Sequence, residues 1–569
     1  MQMDGVVGFT ISQGTNAWSF ELFTDGGDIA AREDGRVSPR GLTSNPSSKE
    51  NIHLACSWIE TCDRNHSSCE TNFSQPLPER LLDIGPMDEA KDPFLYISKT
   101  NEAGKYAAFS HVWGNTRALR TNIANFEAHQ KGISLDQLPR SFRDVVIVTR
   151  FLGIRYLWID ALCIIQDSPE DWQTECANMA NIYKNSYITI AATDSPNTEA
   201  GFLDERCITS PPQTCRIPYI NCEGNQAGSM SIRLREEYNE LHSSDVVPLT
   251  TRAWVLQEKL LSSRILYFGD LQIYWECNTA SYQESKGMQN ILRGRNRIKD
   301  KLLSNRCDMK TWYWLIEDYT ARHLTHPHDK LPALSGLAQE FQKKTGFEYV
   351  AGLWKEDLLP GLMWEMSKAE GTSIRAKPMT YCGPSWSWAS TDGDVRYEKD
   401  YELDPVATVI DIKIESGLDP FGRIHSAELT LSGRMKVAAA RRSLTDGDKA
   451  EWLLFNHSTT LEKQLGRCTF DDIPSQSSSN SSGSSYRTVW CFLLGDISNP
   501  RNDDLHEGRS GKQPIPAATL LLTSLKSGYQ RVGYAVLAGE KVHQEGDSIK
   551  AVHGKDWFKT CKMETVRIH

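Results

Sequence analysis

The sequence lacks the features of several protein classes. It has no basic tract among its 63 basic and 73 acidic residues, so a chain with a formal charge of −10 is not expected to bind nucleic acid. No apolar run approaches the ~20 residues of a membrane span, and the most apolar stretch, residues 156–165, contains Asp160. The opening residues MQMDGVVGFT do not resemble a secretory signal. We therefore expect a cytoplasmic protein.

The sequence also lacks the common cofactor motifs. No P-loop, G-x-G-x-x-G, H-E-x-x-H, G-x-S-x-G or kinase motif occurs in its required context, so no cofactor is predicted. The 14 cysteines include no C-x-x-C pair and are expected to be free thiols. Sixteen tryptophans, in contrast, are many for 569 residues, and we expect them to anchor cores or pockets.

Hydrophobic periodicity divides the chain into five segments. The predicted segments are irregular (1–50), a helical lead-in (51–100), α/β (101–285), a helical extension (286–383) and β-rich (384–569). Eight serines among residues 475–485 predict a loop inside the last segment.

The α/β segment alternates strands and helices. Strands are predicted at residues 106–112, 155–159 and 187–192, and helices lie between them, the second of which opens at Ser168-Pro169. This order predicts a parallel sheet with crossover helices.

Polar side chains follow the first two of these strands. Ser110, His111 and Trp113 come at the end of one strand, and Asp160 and Cys163 at the end of the next. Ligands bind beyond the carboxyl ends of parallel strands, so these residues are candidates for one site. The alternative is that Trp113 belongs to the core and Asp160 caps a turn. Cys163 lies in the apolar run LCII, where an inert thiol is a better interpretation than a nucleophile.

Glu175 is unusual because it lies within the apolar stripe of its helix. It follows Trp172 by three positions and precedes Met179 by four. A carboxylate there must be paired or must face a cavity. The structural alternative is an ion pair with Arg143 or Arg155.

Cys62, His66 and Cys69 have the side-chain chemistry of zinc ligands but lack a clear fourth member, since Cys56 is a doubtful candidate. No metal is predicted at the functional site, and zinc at these three residues is predicted to be either absent or structural.

Several long motifs resemble the heterokaryon incompatibility (HET) domain of filamentous fungi. They are YAAFSHVWG (106–114), residues 138–167, DWQTECANMANIYKNSYITIAA (171–192) and residues 249–268. Further similar segments extend the resemblance over roughly residues 51–395. The α/β segment 101–285 is thus expected to be the HET domain.

The resemblance implies a function. HET-domain proteins trigger growth arrest and programmed cell death when genetically unlike hyphae fuse. The domain is remotely similar to the TIR fold, a flavodoxin-like parallel sheet, and many TIR domains cleave NAD⁺ with one helical glutamate that often follows a tryptophan by three positions. Trp172-x-x-Glu175 matches that arrangement.

Two hypotheses follow from the resemblance. In the first, the protein is an NAD⁺ glycohydrolase with Glu175 as the catalytic residue, and its pocket is lined by Ser110, His111, Trp113, Gly114, Asp160 and Trp172. In the second, it is a non-enzymatic module that signals through a protein partner or by self-assembly. A role in another fungal pathway is a third alternative.

Overall fold

The computed structural model describes most of the chain. The described residues are 8–13, 16–24, 41–69, 75–86, 91–114, 119–206, 215–220, 224, 226–234, 247–288, 297–304, 306–367, 380–398, 402–444, 450–456, 464–471, 486–498, 515–538, 540–543 and 549–569. The predicted serine-rich loop 475–485 lies outside them. Among the described residues, no helix has the length and apolar character needed to cross a membrane.

The chain folds as two units, residues 1–303 and 304–569. The helices of the first unit are α1 (Lys49–Asn65), α2 (Phe126–Lys131), α3 (Arg140–Phe151), α4 (Asp160–Cys163), α5 (Pro169–Asn185), α6 (Ala253–Leu261) and α7 (Arg297–Leu303). Its strands are β1 (Gly8–Gln13), β2 (Asn16–Phe23), β3 (Arg80–Asp83), β4 (Phe94–Ile97), β5 (Tyr106–Ser110), β6 (Tyr156–Trp158), β7 (Ile188–Ala192), β8 (Cys215–Ile220), β9 (Gln226–Leu234), β10 (Arg264–Phe268), β11 (Ile273–Cys277) and β12 (Ser281–Gln283). Short 3-10 helices lie at Ser67–Cys69, Leu135–Gln137, Pro248–Thr251 and Glu284–Lys286.

An eight-stranded sheet forms the centre of the first unit, with the order β12-β11-β10-β7-β5-β6-β3-β4. The four middle strands, β10, β7, β5 and β6, pair in parallel. The outer strands β3 and β11 pair antiparallel to their inner neighbours. The sheet is therefore mixed, and the parallel arrangement predicted from the sequence describes only its middle.

Local sequence explains the helices that cross between the parallel strands. Helix α5 begins at Ser168, whose hydroxyl accepts a hydrogen bond from the Asp171 amide at 3.3 Å, and Pro169 occupies the first turn. Helix α3 ends before Gly153, which adopts a φ of +71°. Both helices bury an apolar stripe against the sheet in one core that includes Phe142, Val146, Met179 and Tyr183.

The prediction that residues 1–50 are irregular is wrong for residues 8–13 and 16–23. Strands β1 and β2 form an antiparallel hairpin that continues into a second sheet of order β1-β2-β9-β8. The hairpin pairs with β9, more than 200 residues later in the chain, and a pattern within the first 50 residues contains no sign of that partner.

The second unit combines short helices with a large antiparallel sheet. Its helices are α8 (Met309–Thr320), α9 (Ser335–Thr345) and α10 (Leu358–Gly361), with 3-10 helices at Pro327–Asp329, Pro332–Leu334, Lys355–Asp357, Trp388–Ser390 and Gly554–Phe558. Its strands are β13 (Tyr349–Val350), β14 (Leu353–Trp354), β15 (Glu365–Met366), β16 (Val395–Arg396), β17 (Glu402–Pro405), β18 (Thr408–Ser416), β19 (Ile424–Leu444), β20 (Ala450–Asn456), β21 (Gln464–Phe470), β22 (Tyr486–Ser498), β23 (Ala517–Leu525), β24 (Gly528–Leu537), β25 (Glu540–His543), β26 (Ile549–Val552) and β27 (Met563–Ile568).

A nine-stranded sheet of β17–β24 and β27 dominates this unit, and the predicted β-rich C-terminal region is confirmed. The extension 286–383 contains the predicted helices but also the two-residue strands β13, β14 and β15. Tryptophans anchor the unit as expected: fully buried examples are Trp312, Trp354, Trp364, Trp386 and Trp388.

Candidate functional site

Three of the predicted site residues lie together at the carboxyl ends of β5 and β6. These strands pair in parallel, with Ala108 opposite Trp158, so Ser110, His111 and Asp160 follow at the same edge of the sheet. The Trp113 indole donates a hydrogen bond of 2.8 Å to one Asp160 oxygen, and the His111 Nε2 atom lies 3.8 Å from the other. Asp160 also accepts from the Ala161 amide at 2.7 Å, which is the turn-capping role considered as an alternative.

His111 is a buried, neutral imidazole. Its ring stacks on Phe109 at 4.6 Å and meets Phe142 edge-on at 5.2 Å. Among the described residues, neither ring nitrogen has a hydrogen-bond partner. Burial lowers the pKa of His111 to about 4, although Asp160 acts in the opposite direction. The ring is therefore uncharged at neutral pH.

Ser110 contacts a carboxylate that the sequence analysis did not single out. Its hydroxyl donates to Glu258 Oε2 at 2.5 Å, and Glu258, on α6, is only 5% exposed. Burial raises the pKa of Glu258 to about 7, against the lowering influence of Arg252 and of the Ser110 hydrogen bond. Arg252 also donates a hydrogen bond to the His111 carbonyl, so the segment that precedes α6 and the end of β5 are joined directly.

Glu175 lies on the buried face of α5 and pairs with an arginine. Its Oε1 atom is 3.2 Å from the Arg80 guanidinium, and both residues are less than 5% exposed. Arg80 also binds Asp171 at 2.7 Å and the Cys163 carbonyl at 2.6 Å. Burial raises the pKa of Glu175 to about 7 even though Arg80 opposes the shift.

The partner of Glu175 differs from the two considered from the sequence. Arg155 instead pairs with Asp83 at 2.6 Å, so the expectation of an ion pair with Arg155 is wrong. Arg80 occupies that place because β3 lies beside β6, at the edge where α5 begins. Through Arg80, Glu175 is linked to the turn that carries Cys163 and, three residues earlier, Asp160.

The remaining predicted residues have distinct environments. Gly114 adopts a φ of +72°, and a Cβ atom there would lie 2.3 Å from the Asn197 Cβ, so only glycine fits. Trp172 is half-buried one turn before Glu175 on α5. Burial raises the pKa of the Cys163 thiol to about 12, which keeps it protonated and unsuited to nucleophilic attack.

Glu258, Arg80 and Arg252 are the residues that sequence reasoning missed. Glu258 carried a signal of the same kind as Glu175, because it lies within the run AWVLQEKLL three positions after the buried Val255. Arg80 and Arg252 gave no such signal in the sequence, since each contacts a residue that lies far away along the chain.

Metal-ligating residues gather elsewhere in the first unit. Cys277 joins Cys62, His66 and Cys69 and supplies the fourth side chain that the sequence motif lacked. The Ser110, His111 and Asp160 edge is built instead from carboxyls, a neutral imidazole and an indole.

Comparison with known proteins agrees with the resemblance seen in the motifs. The family described as heterokaryon incompatibility protein (HET) matches residues 106–258. The chain is also similar to heterokaryon incompatibility protein 6, OR allele, of Neurospora crassa, with 30% identity over 141 residues. That alignment covers 22% of this chain and 21% of the relative, so the chain matches about a fifth of the relative's length. No solved structure matches. Residues 106–258, which hold β5 through most of α6 and every residue of the candidate site except Arg80, therefore form a HET domain.

Proposed function

We propose that this protein acts in the cytoplasm in fungal non-self recognition and triggers growth arrest and programmed cell death. The support is the HET domain at residues 106–258 and a relative whose name assigns it to heterokaryon incompatibility. A protein partner or self-assembly would bring the domain into its active state.

The chemical activity we propose is hydrolysis of NAD⁺ at the edge formed by β5 and β6. One observation carries this proposal: burial raises the pKa of two glutamates near that edge to about 7. Glu258 accepts a hydrogen bond from Ser110, and Glu175 forms an ion pair with Arg80, which binds the Cys163 carbonyl. Perturbed carboxyls gathered around strand ends are typical of catalytic sites.

In this reaction the bond between nicotinamide and the ribose breaks, and its electron pair leaves with nicotinamide. Positive charge develops on the ribose, and a carboxylate fixed nearby stabilises it. Water then adds to the ribose carbon and releases a proton, giving ADP-ribose. We assign Glu175 to the ribose hydroxyls and the developing charge. We assign the lining of the NAD⁺ pocket to Ser110, His111, Trp113, Gly114, Asp160 and Trp172.

The order of the parallel strands supports the TIR-like part of the proposal. Numbered by their appearance in the chain, β5, β6, β7 and β10 stand in the order 2-1-3-4, which is the beginning of the flavodoxin-like order. The analogy concerns the fold, and the activity itself depends on the site.

Incubation of the purified full chain with NAD⁺, followed by chromatography for free nicotinamide, tests the activity. We expect nicotinamide from the wild type and from Glu170→Gln, a matched control because Glu170 is exposed on the first turn of α5. We expect little from Glu175→Gln. Equal nicotinamide from both variants would refute the catalytic assignment. If the wild-type protein releases no nicotinamide, either alone or after chemical crosslinking into oligomers, the proposed activity is refuted.

A second candidate is a non-enzymatic signalling module. The Glu175–Arg80 ion pair favours it, because a carboxylate that is already paired can serve the fold alone. In that case the protein would kill cells without consuming NAD⁺. Measuring cellular NAD⁺ before growth stops, in cells expressing the wild type, distinguishes the two candidates.

A further inference from the structure

Four metal-ligating side chains meet between the two segments that flank the HET domain. Cys62 and His66 lie at the end of α1, Cys69 in the following 3-10 helix, and Cys277 at the end of β11. Their ligand atoms all lie within 4.8 Å of one another. We propose that these four residues bind one structural zinc ion.

The separations suit a tetrahedral metal. Bonds of about 2.3 Å to sulfur and about 2.0 Å to nitrogen place neighbouring ligand atoms roughly 3.5–3.8 Å apart. The Cys277 sulfur lies 3.4 Å from the His66 Nδ1 atom. Three sulfurs and one imidazole nitrogen form the Cys₃His set of structural zinc sites, and the same soft donors disfavour magnesium and calcium.

Groups around the cluster are arranged to stabilise thiolates. The Ala280 amide donates to the Cys277 sulfur at 3.2 Å, and the Arg264 Nε–H donates to the Cys62 sulfur at 3.2 Å. The Thr279 hydroxyl lies 3.5 Å from the Cys69 sulfur. Such outer contacts orient metal-bound thiolates and offset their charge.

A buried cation lies beside the cluster. Three thiolates, a neutral histidine and Zn²⁺ carry a net charge of −1, and the guanidinium beside Cys62 is fully buried, with Arg264 only 1% exposed. Arg264 also pairs with Asp63 at 2.7 Å and donates to the Cys69 carbonyl at 3.0 Å. This side chain therefore joins both parts of the cluster that come before the HET domain.

The site has no open coordination position, which indicates a structural role. Cys62, His66 and Cys69 precede the matched residues 106–258, and Cys277 follows them. The metal would fasten α1 to the β10–β11 hairpin, which extends the sheet that carries the candidate site. Because the metal would link residues about 200 positions apart in the chain, its loss should lower the stability of the first unit.

Metal analysis of the wild-type protein is the direct test. We expect one zinc per chain in protein purified without chelators. Three thiols should become reactive only after chelation, and Co²⁺ replacement should give a strong thiolate-to-cobalt charge-transfer band. Protein that contains no zinc, acquires none from an equimolar zinc salt and gives no cobalt band would overturn the proposal. A disulfide between any two of Cys62, Cys69 and Cys277 would also overturn it.

Variants supply a second, independent readout. Cys277→Ser should lose zinc and melt roughly 10 °C lower, whereas Cys163→Ser, an equally buried thiol in the same unit, should retain zinc. His66→Cys should still bind zinc, since four cysteines also form a tetrahedral site, and His66→Ala should bind it much more weakly. Full zinc retention by both Cys277→Ser and His66→Ala would refute the assignment. If Cys277→Ser does not fold, the wild-type metal content and the His66 pair decide.

Discussion

Replacing Glu175 with glutamine separates the catalytic role proposed for this residue from a purely structural one. The substitution keeps the size of the side chain and removes its charge. Arg80 would retain Asp171 at 2.7 Å and the Cys163 carbonyl at 2.6 Å, so it would not be left as an unpaired buried cation. The glutamine oxygen can also still accept a hydrogen bond from Arg80. We therefore expect the variant to fold, with a stability change of about 1 kcal/mol at neutral pH.

The pH dependence gives the sign and size of the effect. Burial raises the pKa of Glu175 from 4.5 to about 7, so the folded protein holds this proton more tightly than the unfolded chain does. Stability from this group is therefore greatest below about pH 4.5 and falls as pH rises toward 7, by on the order of 2–3 kcal/mol. Glutamine removes that loss. The melting temperature of Glu175→Gln minus that of the wild type should therefore rise by roughly 5 °C as the pH increases from about 5 to about 8.

Thermal unfolding across this pH range, cell killing and NAD⁺ cleavage are measured on the same preparations. Glu170→Gln, on the exposed face of the same helix, is the control. We expect Glu175→Gln to fold normally but not to kill. A variant that unfolds would favour the structural role, and one that melts normally and still kills would exclude a catalytic one. A difference in melting temperature that does not change with pH would refute the raised pKa.

Three further substitutions test other parts of the site. Cys163→Ser should keep cell killing with a stability loss of about 1 kcal/mol, since the thiol is protonated; loss of killing together with specific alkylation of Cys163 in the wild type would revive the nucleophile hypothesis. Gly114→Ala should cost at least about 1 kcal/mol more than Gly153→Ala in chemical unfolding, because both glycines have a positive φ but only Gly114 would contact Asn197; equal costs would contradict this. The wild type should lose stability as the pH falls from about 6.5 to about 4, because the pKa of His111 in the folded protein is about 4. His111→Gln should reduce that loss by on the order of 3 kcal/mol. If thermal unfolding shows the same loss in the variant, His111 is not buried in its neutral form.

The elements predicted best from the sequence are those set by local patterns. The alternation of apolar strands and amphipathic helices located β5, α3, β6, α5 and β7, because each carries its own period and end signals. Strand β18 shows the limit of such patterns. Ile410, Ile412 and Ile414 alternate in the sequence, yet an irregularity between Val409 and Asp411 leaves Ile410 57% exposed.

The same distinction between local and long-range signals applies to the candidate site. Glu175 was identifiable because its anomaly, a carboxylate within an apolar stripe, is local to one helix. Its partner Arg80 lies 95 positions earlier, and Cys277 follows Cys69 by 208 positions, so only the paired strands bring them into contact. Ser110 and Glu258, 148 positions apart, meet for the same reason. A single sequence thus marks the buried polar side chain that needs a partner, and the topology of the sheet determines which residue that partner is. The cost of leaving such a group unpaired explains why each of these residues proved to have one.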